Sequence, residues 1–505
     1  MTLCYRYGVQ DGPSGHGWPI PKRIDTLRRY HARWNSLRWL KGYTFRTDPG
    51  DLWEMFSSVY AGSAVGSSQI SFRKAVSSSA QQREAEWSID VGNLKTRDFG
   101  MDYFQDLVVI VGKDAQRGRT LYLRTMSTGA RHPSAKSPDI EIKKQYEQRG
   151  SSCLIQVSND RIGIVFWNET IRPNGNIYPA HELIVWDWKA GTVLLHLVSN
   201  EENLVSAFCF LSDTHILVAW GVVLDDEVEE PHKKSTLDVY DVSQQTTSPT
   251  KRFHLPPLQP EAVISSFSIY CDPTPTPNHK VPRPFYTSPD RKICVVTANF
   301  FFQRSTILVR ESINFIFFTS TLLADYPGLP DPSEEDEILI DIESNDGELA
   351  ETNDAETNKS KAPPITVVPW AQWGEQTRMT IWRMPTSCFL ICVSGTRVVR
   401  KIPTTVPRRY KIQVCDFNPY AAVDEVQVAM PGKPAVSTQR YVHARQDNVF
   451  GNSLLFQAPV YGFLPYLEVT TRNTFEMEEV MIDHDNLYLV HRNNGFEREM
   501  EVLSF

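Results

Sequence analysis

Residues 181–191, HELIVWDWKAG, constrain the fold more than any other stretch. Leu183 and Val185 alternate with Ile184 and Trp186, so both faces of the segment are apolar. A strand of that kind must be covered on both sides by neighbouring sheets. Asp187, Lys189 and Gly191 then supply a turn. A Trp-Asp pair closing a strand just before such a turn is the mark of WD-type propeller blades. Weaker copies recur at residues 120–129 (TLYLRTMSTG), 236–242 (TLDVYDV) and 411–418 (KIQVCDFN). Each reads as an alternating strand that ends in a polar turn.

From residue 51 onward, short strand candidates follow one another with almost no helical periodicity. That spacing predicts an all-β fold built by repetition. A propeller blade takes about 40–45 residues, so about seven blades would use most of the chain once insertions are allowed for. The expected architecture is therefore a β-propeller over residues 51–505, with the terminal strands meeting to close the ring. Residues 1–50 are expected to form a linker and a short amphipathic helix. In residues 19–40, Ile24, Leu27, Tyr30, His31, Trp34, Leu37 and Leu40 recur at helical steps, and Pro21 suits a first turn. Arg23, Arg28, Arg29, Arg33 and Arg38 crowd the opposite side as a solvated basic face or, alternatively, an acid-binding one.

Two insertions interrupt the rhythm. Residues 271–284 (CDPTPTPNHKVPRP) are proline-rich and extended in character. Residues 325–364 are acidic, poor in aromatics and expected to be disordered. The formal charge of the whole chain is −8, and residues 331–363 carry twelve carboxylates and two lysines, a local −10. The remainder is close to neutral, which argues against a nucleic-acid binder that relies on a basic face. No apolar stretch approaches the length of a membrane span, and the first residues lack the apolar core of a signal peptide. The expected location is cytoplasm or nucleus.

The eight cysteines are scattered, and no CxxC occurs. They read as buried reduced thiols, and no clustered metal ligands are visible in the sequence. No cofactor is expected, because there is no phosphate-cradling glycine motif. There is likewise no GxSxG elbow and no catalytic cysteine signature. His181 and His215 fall beside strands and turns and read as structural. Asp483-His484-Asp485 sits between two strands, where a hairpin turn accounts for it. Asp187, Asp241 and Asp416 end strands at repeat-related positions, as Asp does when it completes a turn; Asp106 is repeat-related to them. The expectation is a non-enzyme, although remote carboxylates could still meet across a propeller axis.

Candidate binding residues come from two segments. Residues 369–378 (PWAQWGEQTR) form a dense loop whose Trp370, Trp373 and Arg378 have the chemistry of interface anchors, with packing between blades as the alternative. Within the acidic insertion, residues 334–346 (EEDEILIDIESND) place Ile338, Leu339 and Ile340 between acids. This is the shape of a strand that adds to a partner's sheet edge. It resembles a SUMO-interacting motif; the alternative is a solvated acidic loop.

Several short segments carry a wider resemblance. DGPSG at 11–15, a helix ending ARWNSLRW, HELIVWDWKAG, PWAQWGEQTR, a strand ending DFNP at 416–419, LPYLEV and EVMIDHDNLYLV occur in this order across nearly the whole chain. Together they resemble basidiomycete fungal F-box proteins with a carboxy-terminal WD-like propeller. In that family the F-box docks on the Skp adaptor of a cullin ubiquitin ligase, and the propeller is held to choose the substrate. The resemblance therefore implies protein partners and a substrate-recognition role. No F-box start is readable before Asp11, so Skp and cullin are expected only if an F-box lies upstream. The readings left open are a scaffold unrelated to ubiquitination and a hydrolase-type propeller with an axial site.

Overall fold

A computed structural model describes residues 3–12, 18–47, 50–77, 79, 83–114, 118–143, 152–171, 177–200, 203–222, 235–244, 246–272, 283–304, 307–327, 364–384, 391–421, 436–443, 455–492 and 498–505. The chain is all-β and forms a seven-bladed propeller. Each blade is built on antiparallel pairs of strands, most of them neighbours in chain order.

Blade 1 comprises Leu52–Phe56, Val59–Ser63, Gln69–Lys74 and Ala85–Asp90; blade 2 comprises Thr96–Asp102, Leu107–Asp114, Gly118–Thr125 and Asp139–Glu141. Blade 3 comprises Ser152–Ser158, Arg161–Trp167, Glu182–Asp187 and Thr192–Val198. Blade 4 comprises Asn203–Phe210, His215–Val222, Thr236–Asp241 and Lys251–His254, with Thr366–Val368 added in parallel on its edge. Blade 5 comprises Ala262–Cys271, Ile293–Arg304, Ile307–Phe318 and Thr377–Thr380. Blade 6 is built on Val393–Ser394, Arg397–Pro403, Arg409–Asp416 and Tyr466–Thr471, with Ser437–Val442 outside. Blade 7 takes Glu479–Ile482, Asn486–Arg492 and Arg498–Ser504 from the end of the chain and Lys41–Arg46 from its beginning.

That last pairing closes the ring. Lys41 lies opposite Ser504 and Arg46 opposite Glu499, so the two terminal regions meet as the sequence led one to expect. The ring thus starts at Lys41, inside the segment read as linker and helix, and not at residue 51.

The two-faced strand pattern has a direct explanation in the seams between blades. In blade 3, Ile162, Ile164, Phe166, Ile184 and Trp186 face a core shared with blade 2, while Val165, Leu183 and Val185 join a core shared with blade 4. Consecutive seams around the ring repeat this arrangement. Each fully buried large side chain contributes about 1.5–3 kcal/mol. The segments singled out as weaker copies are the third strands of blades 2, 4 and 6, and each ends in the expected turn. Asp187 accepts from the Ala190 N–H at 2.8 Å and Asp241 from the Ser243 N–H at 2.9 Å. Asp416 accepts from the Asn418 N–H at 2.9 Å. Gly191 closes its turn at φ 71°, where a side chain would be strained.

The helix spans Ile20–Ser36 and buries Leu27, Tyr30, His31 and Trp34. It lies over blades 6 and 7: Trp34 stacks on Phe505 at 4.1 Å, and Ser437 donates its hydroxyl to the Ser36 carbonyl at 2.7 Å. Arg28 and Arg29 remain exposed, and Arg29 pairs with Asp25 one turn away at 2.8 Å. No helix among the described residues is long and apolar enough to cross a membrane. Residues 328–363, including Ile338, Leu339 and Ile340, lie outside the described residues, as does Cys388.

Candidate functional site

The end of the propeller axis beneath the helix is closed by chain from two places. Val9–Asp11 pairs antiparallel with Phe285–Thr287, making a two-stranded strap. Phe285–Thr287 lies in the chain between the first two strands of blade 5. Tyr30 packs edge-on against Phe285 at 5.1 Å and stacks on His484 at 5.0 Å. Under the strap lies a cavity of about 30 Å³ lined by Ser57, Asp272, Arg283, Tyr286 and His484 among others. It has room for about one water molecule.

The chamber is polar, and its charges are buried. Arg283 is 2% exposed and its Nη1 lies 3.5 Å from the Asp485 carboxylate, which is fully buried. Ser77 donates its hydroxyl to Asp485 at 2.5 Å, and Ser79 donates to the other carboxylate oxygen. Burial alone would raise the Asp485 pKa, but Arg283, His484 and the two serines hold it below the ordinary carboxylate value. His484 moves the other way: burial, with Arg283 and Arg397 nearby, lowers its pKa to about 4 despite Asp485. It is therefore neutral near pH 7. Arg283 Nε and Nη2 and His484 Nε2 have no hydrogen-bond partner among the described residues. A second buried arginine, Arg397, donates to the Asp416 carboxylate at 3.2 Å and to the Tyr30 hydroxyl at 3.1 Å, with its guanidinium over the Trp34 ring.

Farther along the axis is a second cavity of about 90 Å³. Apolar side chains such as Met101, Ile155 and Val393 dominate its wall, with Glu54, Gln156 and Cys271 as its polar members. Burial, reinforced by Asp98, raises the Glu54 pKa to about 8. Burial also raises Asp98 to about 6, even though the Cys153 thiol donates to it at 3.3 Å. The wall also reaches a group the sequence hid. The sulfurs of Cys209, Cys271 and Cys294 lie within 4.8 Å of one another. They come from the first strand of blade 4 and the first two strands of blade 5.

The tryptophan-rich segment does not behave as an exposed anchor. Residues 370–373 form a helical turn, residues 374–376 a tighter one, and Thr377–Thr380 the outer strand of blade 5. Trp373 is fully buried, packs against Phe253 and Phe317, and donates its ring N–H to the His254 carbonyl at 3.0 Å. Trp370 is half-buried against Phe315 and Trp373. Arg378 is 3% exposed, with its guanidinium 5.3 Å from the Tyr466 ring. The binding expectation for Trp373 and Arg378 is corrected on this ground: burial between blades 4, 5 and 6 leaves a partner nothing to grip. Packing, the alternative reading, describes them.

His181 and His215 have structural partners, the first at the Val205 carbonyl and the second among Ser212 and Thr214. Asp483-His484-Asp485 does form a hairpin turn, in which Asp483 accepts from the Asp485 and Asn486 N–H groups. What the sequence reading missed is the burial of that turn beneath the strap. The available signal was faint: a charged Asp-His-Asp triplet inside the otherwise apolar MIDHDNLYLV.

No family model and no curated protein matches the sequence. Several solved structures are similar in fold. The crystal structure of the tricorn protease has a TM-score of 0.31 and 13% identity over 75% of this chain and 28% of that one, so the present chain spans little more than a quarter of it. The WD40 domain of SCAP from fission yeast has a TM-score of 0.30 and 9% identity over 92% and 94% of the two chains. The N-terminal domain of Nup159 has a TM-score of 0.22 and 9% identity over 56% and 92%. At these levels no site or activity transfers to this chain.

Proposed function

We propose that the chain is a non-catalytic propeller that binds other proteins through its outer surfaces. The observation that carries this reading is the axis itself. One of its ends is sealed by the strap and helix, and its larger cavity of about 90 Å³ falls well below the roughly 300–1,000 Å³ of ordinary small-molecule sites. Propellers that do not work through the axis present loops and blade edges to partners.

The finer reading is the substrate-recognition part of an F-box-type ubiquitin ligase subunit. It rests on the ordered segments that resemble fungal F-box proteins. The docking of the helix supports it in one respect, because whatever is attached to that helix is held rigidly against the propeller. On this reading the chain works in the cytoplasm or nucleus, with Skp and cullin as partners where an F-box is present. SUMO would be a further partner, through Ile338, Leu339 and Ile340. Loss of SUMO binding on changing those three residues to alanine is expected; an intact chain that binds no SUMO removes the idea.

A second reading has one observation in its favour. Glu54 faces the axial cavity with its pKa raised to about 8, and Asp98 is close enough to contribute to that rise. A carboxylate pair with separated proton affinities is what hydrolytic chemistry uses. The size and apolar wall of the cavity oppose it.

The experiment that separates these readings is purification of the tagged chain from its own cells, with quantitative mass spectrometry of what accompanies it. Stoichiometric protein partners, with Skp and cullin among them, are expected on the ligase reading. Partners without Skp and cullin leave the scaffold reading alone. Absence of any partner above background contradicts both.

A further inference from the structure

The three cysteines beside the axial cavity are separated in sequence, and strand pairing within blade 5 and its seam with blade 4 bring them together. Cys209 is 1% exposed and lies one residue before the end of the innermost strand of blade 4; Cys294 is fully buried in the second strand of blade 5. Cys271, the last residue of blade 5's innermost strand, is half-buried and forms part of the cavity wall. Cys271 and Cys294 are register partners across two antiparallel strands. Cys209 reaches them across the seam between blades.

Three sulfurs around one zinc ion, each at about 2.3 Å, sit roughly 3.8 Å apart. The observed cluster, with all three sulfurs within 4.8 Å, needs only a small contraction to reach that arrangement. We infer that Cys209, Cys271 and Cys294 form a binding site for a thiophilic metal ion, with zinc as the ion that fits best.

Charge supports zinc in particular. Lys292 is 1% exposed, and its ammonium donates to the carbonyls of Phe210 at 3.1 Å and Asp272 at 3.4 Å. Those residues directly follow Cys209 and Cys271 in the chain. The ammonium is thus fixed beside two of the three ligands. Three thiolates, one divalent ion and one lysine sum to zero, which is the charge a buried site tolerates best. A monovalent ion would leave the site negative. Binding exchanges three S–H protons, released to solvent, for one Zn²⁺. The fourth position of the ion would face the cavity at Cys271. The site would also fasten blade 4 to blade 5 at their inner edges, as structural zinc does elsewhere.

The test uses the full chain, purified under reducing conditions without chelator. Metal content by mass spectrometry should give one zinc per chain. After zinc is removed, titration with Co²⁺ should produce thiolate-to-cobalt charge-transfer absorption. Cys271→Ser, at the half-buried position, should reduce both signals at least tenfold, while Cys4→Ser, outside the cluster, should leave them unchanged. Chelation should lower the melting temperature of the wild type and not that of Cys271→Ser. The inference is overturned if the folded wild-type chain takes up neither zinc nor cobalt. It is equally overturned if Cys271→Ser retains full metal content, or if two of the three cysteines prove to be joined as a disulfide in the native chain. The wild-type metal content decides the matter even should the serine variant fail to fold.

Discussion

Blades 3 and 5 have the same strand order and opposite characters. Blade 3 completes its four strands inside residues 152–198, interrupted by one small hairpin, and its inner residues are almost wholly apolar. Blade 5 spreads its four strands over residues 262–380. Between them it supplies half of the strap, the buried Arg283, the Asp272 carboxylate, Lys292 and two of the three clustered cysteines. The regular blade holds the ring together. The interrupted blade carries much of the buried chemistry, beside Glu54 of blade 1 and Asp485 of the blade 7 turn.

Substitutions in the two blades should have different consequences. Trp186→Ala in blade 3 removes a side chain only 1% exposed and should cost about 3–5 kcal/mol. Urea denaturation should show this loss to be the same at every pH, since nothing titratable depends on that ring. Arg283→Met, on the blade 5 side, should cost about 3 kcal/mol by leaving Asp485 buried without its cation. A double variant that also carries Asp485→Leu should recover part of that loss; if it is worse than the sum of the two single changes, the pair is not acting as an ion pair.

The buried titratable groups around the axis, Asp272 of blade 5 among them, should also make stability depend on pH. Burial raises Asp98 to about 6, Asp272 to about 7 and Glu54 to about 8. Each folded carboxyl therefore keeps a proton that the unfolded chain gives up, and stability falls as pH rises from about 4 to 8. His484, lowered to about 4, works in the opposite direction. The folded chain refuses a proton the unfolded chain accepts, so stability rises between about pH 4 and 6.5. Above pH 6.5 the His484 contribution is complete, and the three carboxyls should lower denaturation midpoints toward pH 8. Asp272→Asn should flatten the decline up to about pH 7 and Glu54→Gln the remainder. A profile unchanged by either substitution would show that these carboxyls are hydrated in solution. The smallest effect belongs to the exposed helix face: Arg29→Ala breaks a solvent-facing pair with Asp25 and should cost about 0.3–0.5 kcal/mol, vanishing at high salt.

The difference between the blades also explains what could be read from the sequence. Residues 181–191 were legible because a strand packed on both faces must be apolar on both faces, and Leu183 and Ile184 do point into different seams. The helix was legible from the spacing of Leu27, Tyr30 and Trp34. The outer strand Lys41–Arg46 was not, because a blade edge is exposed on most of its residues and carries no strong pattern. The burial of Trp373 and Arg378 was not legible, because composition cannot distinguish an interface anchor from a side chain packed between blades. The cysteine cluster and the Arg283–Asp485 pair were illegible for a different reason: their members are separated in sequence, and strand pairing and the packing of blades make them neighbours.

On the proposed reading the helix and strap seal one end of the axis and leave the outer surface for partners. Hydrogen exchange on the intact chain tests it most directly. Amides of Ile20–Ser36 and of Phe285–Thr287 should exchange as slowly as those of the inner strands of blade 3, because opening them would expose Trp34, Tyr30 and the Arg283–Asp485 pair together. Exchange of the helix and strap within seconds, while blade 3 stays protected, would mean that this end stands open in solution. That result would contradict the sealed axis and return Glu54 and its cavity to the centre of the question.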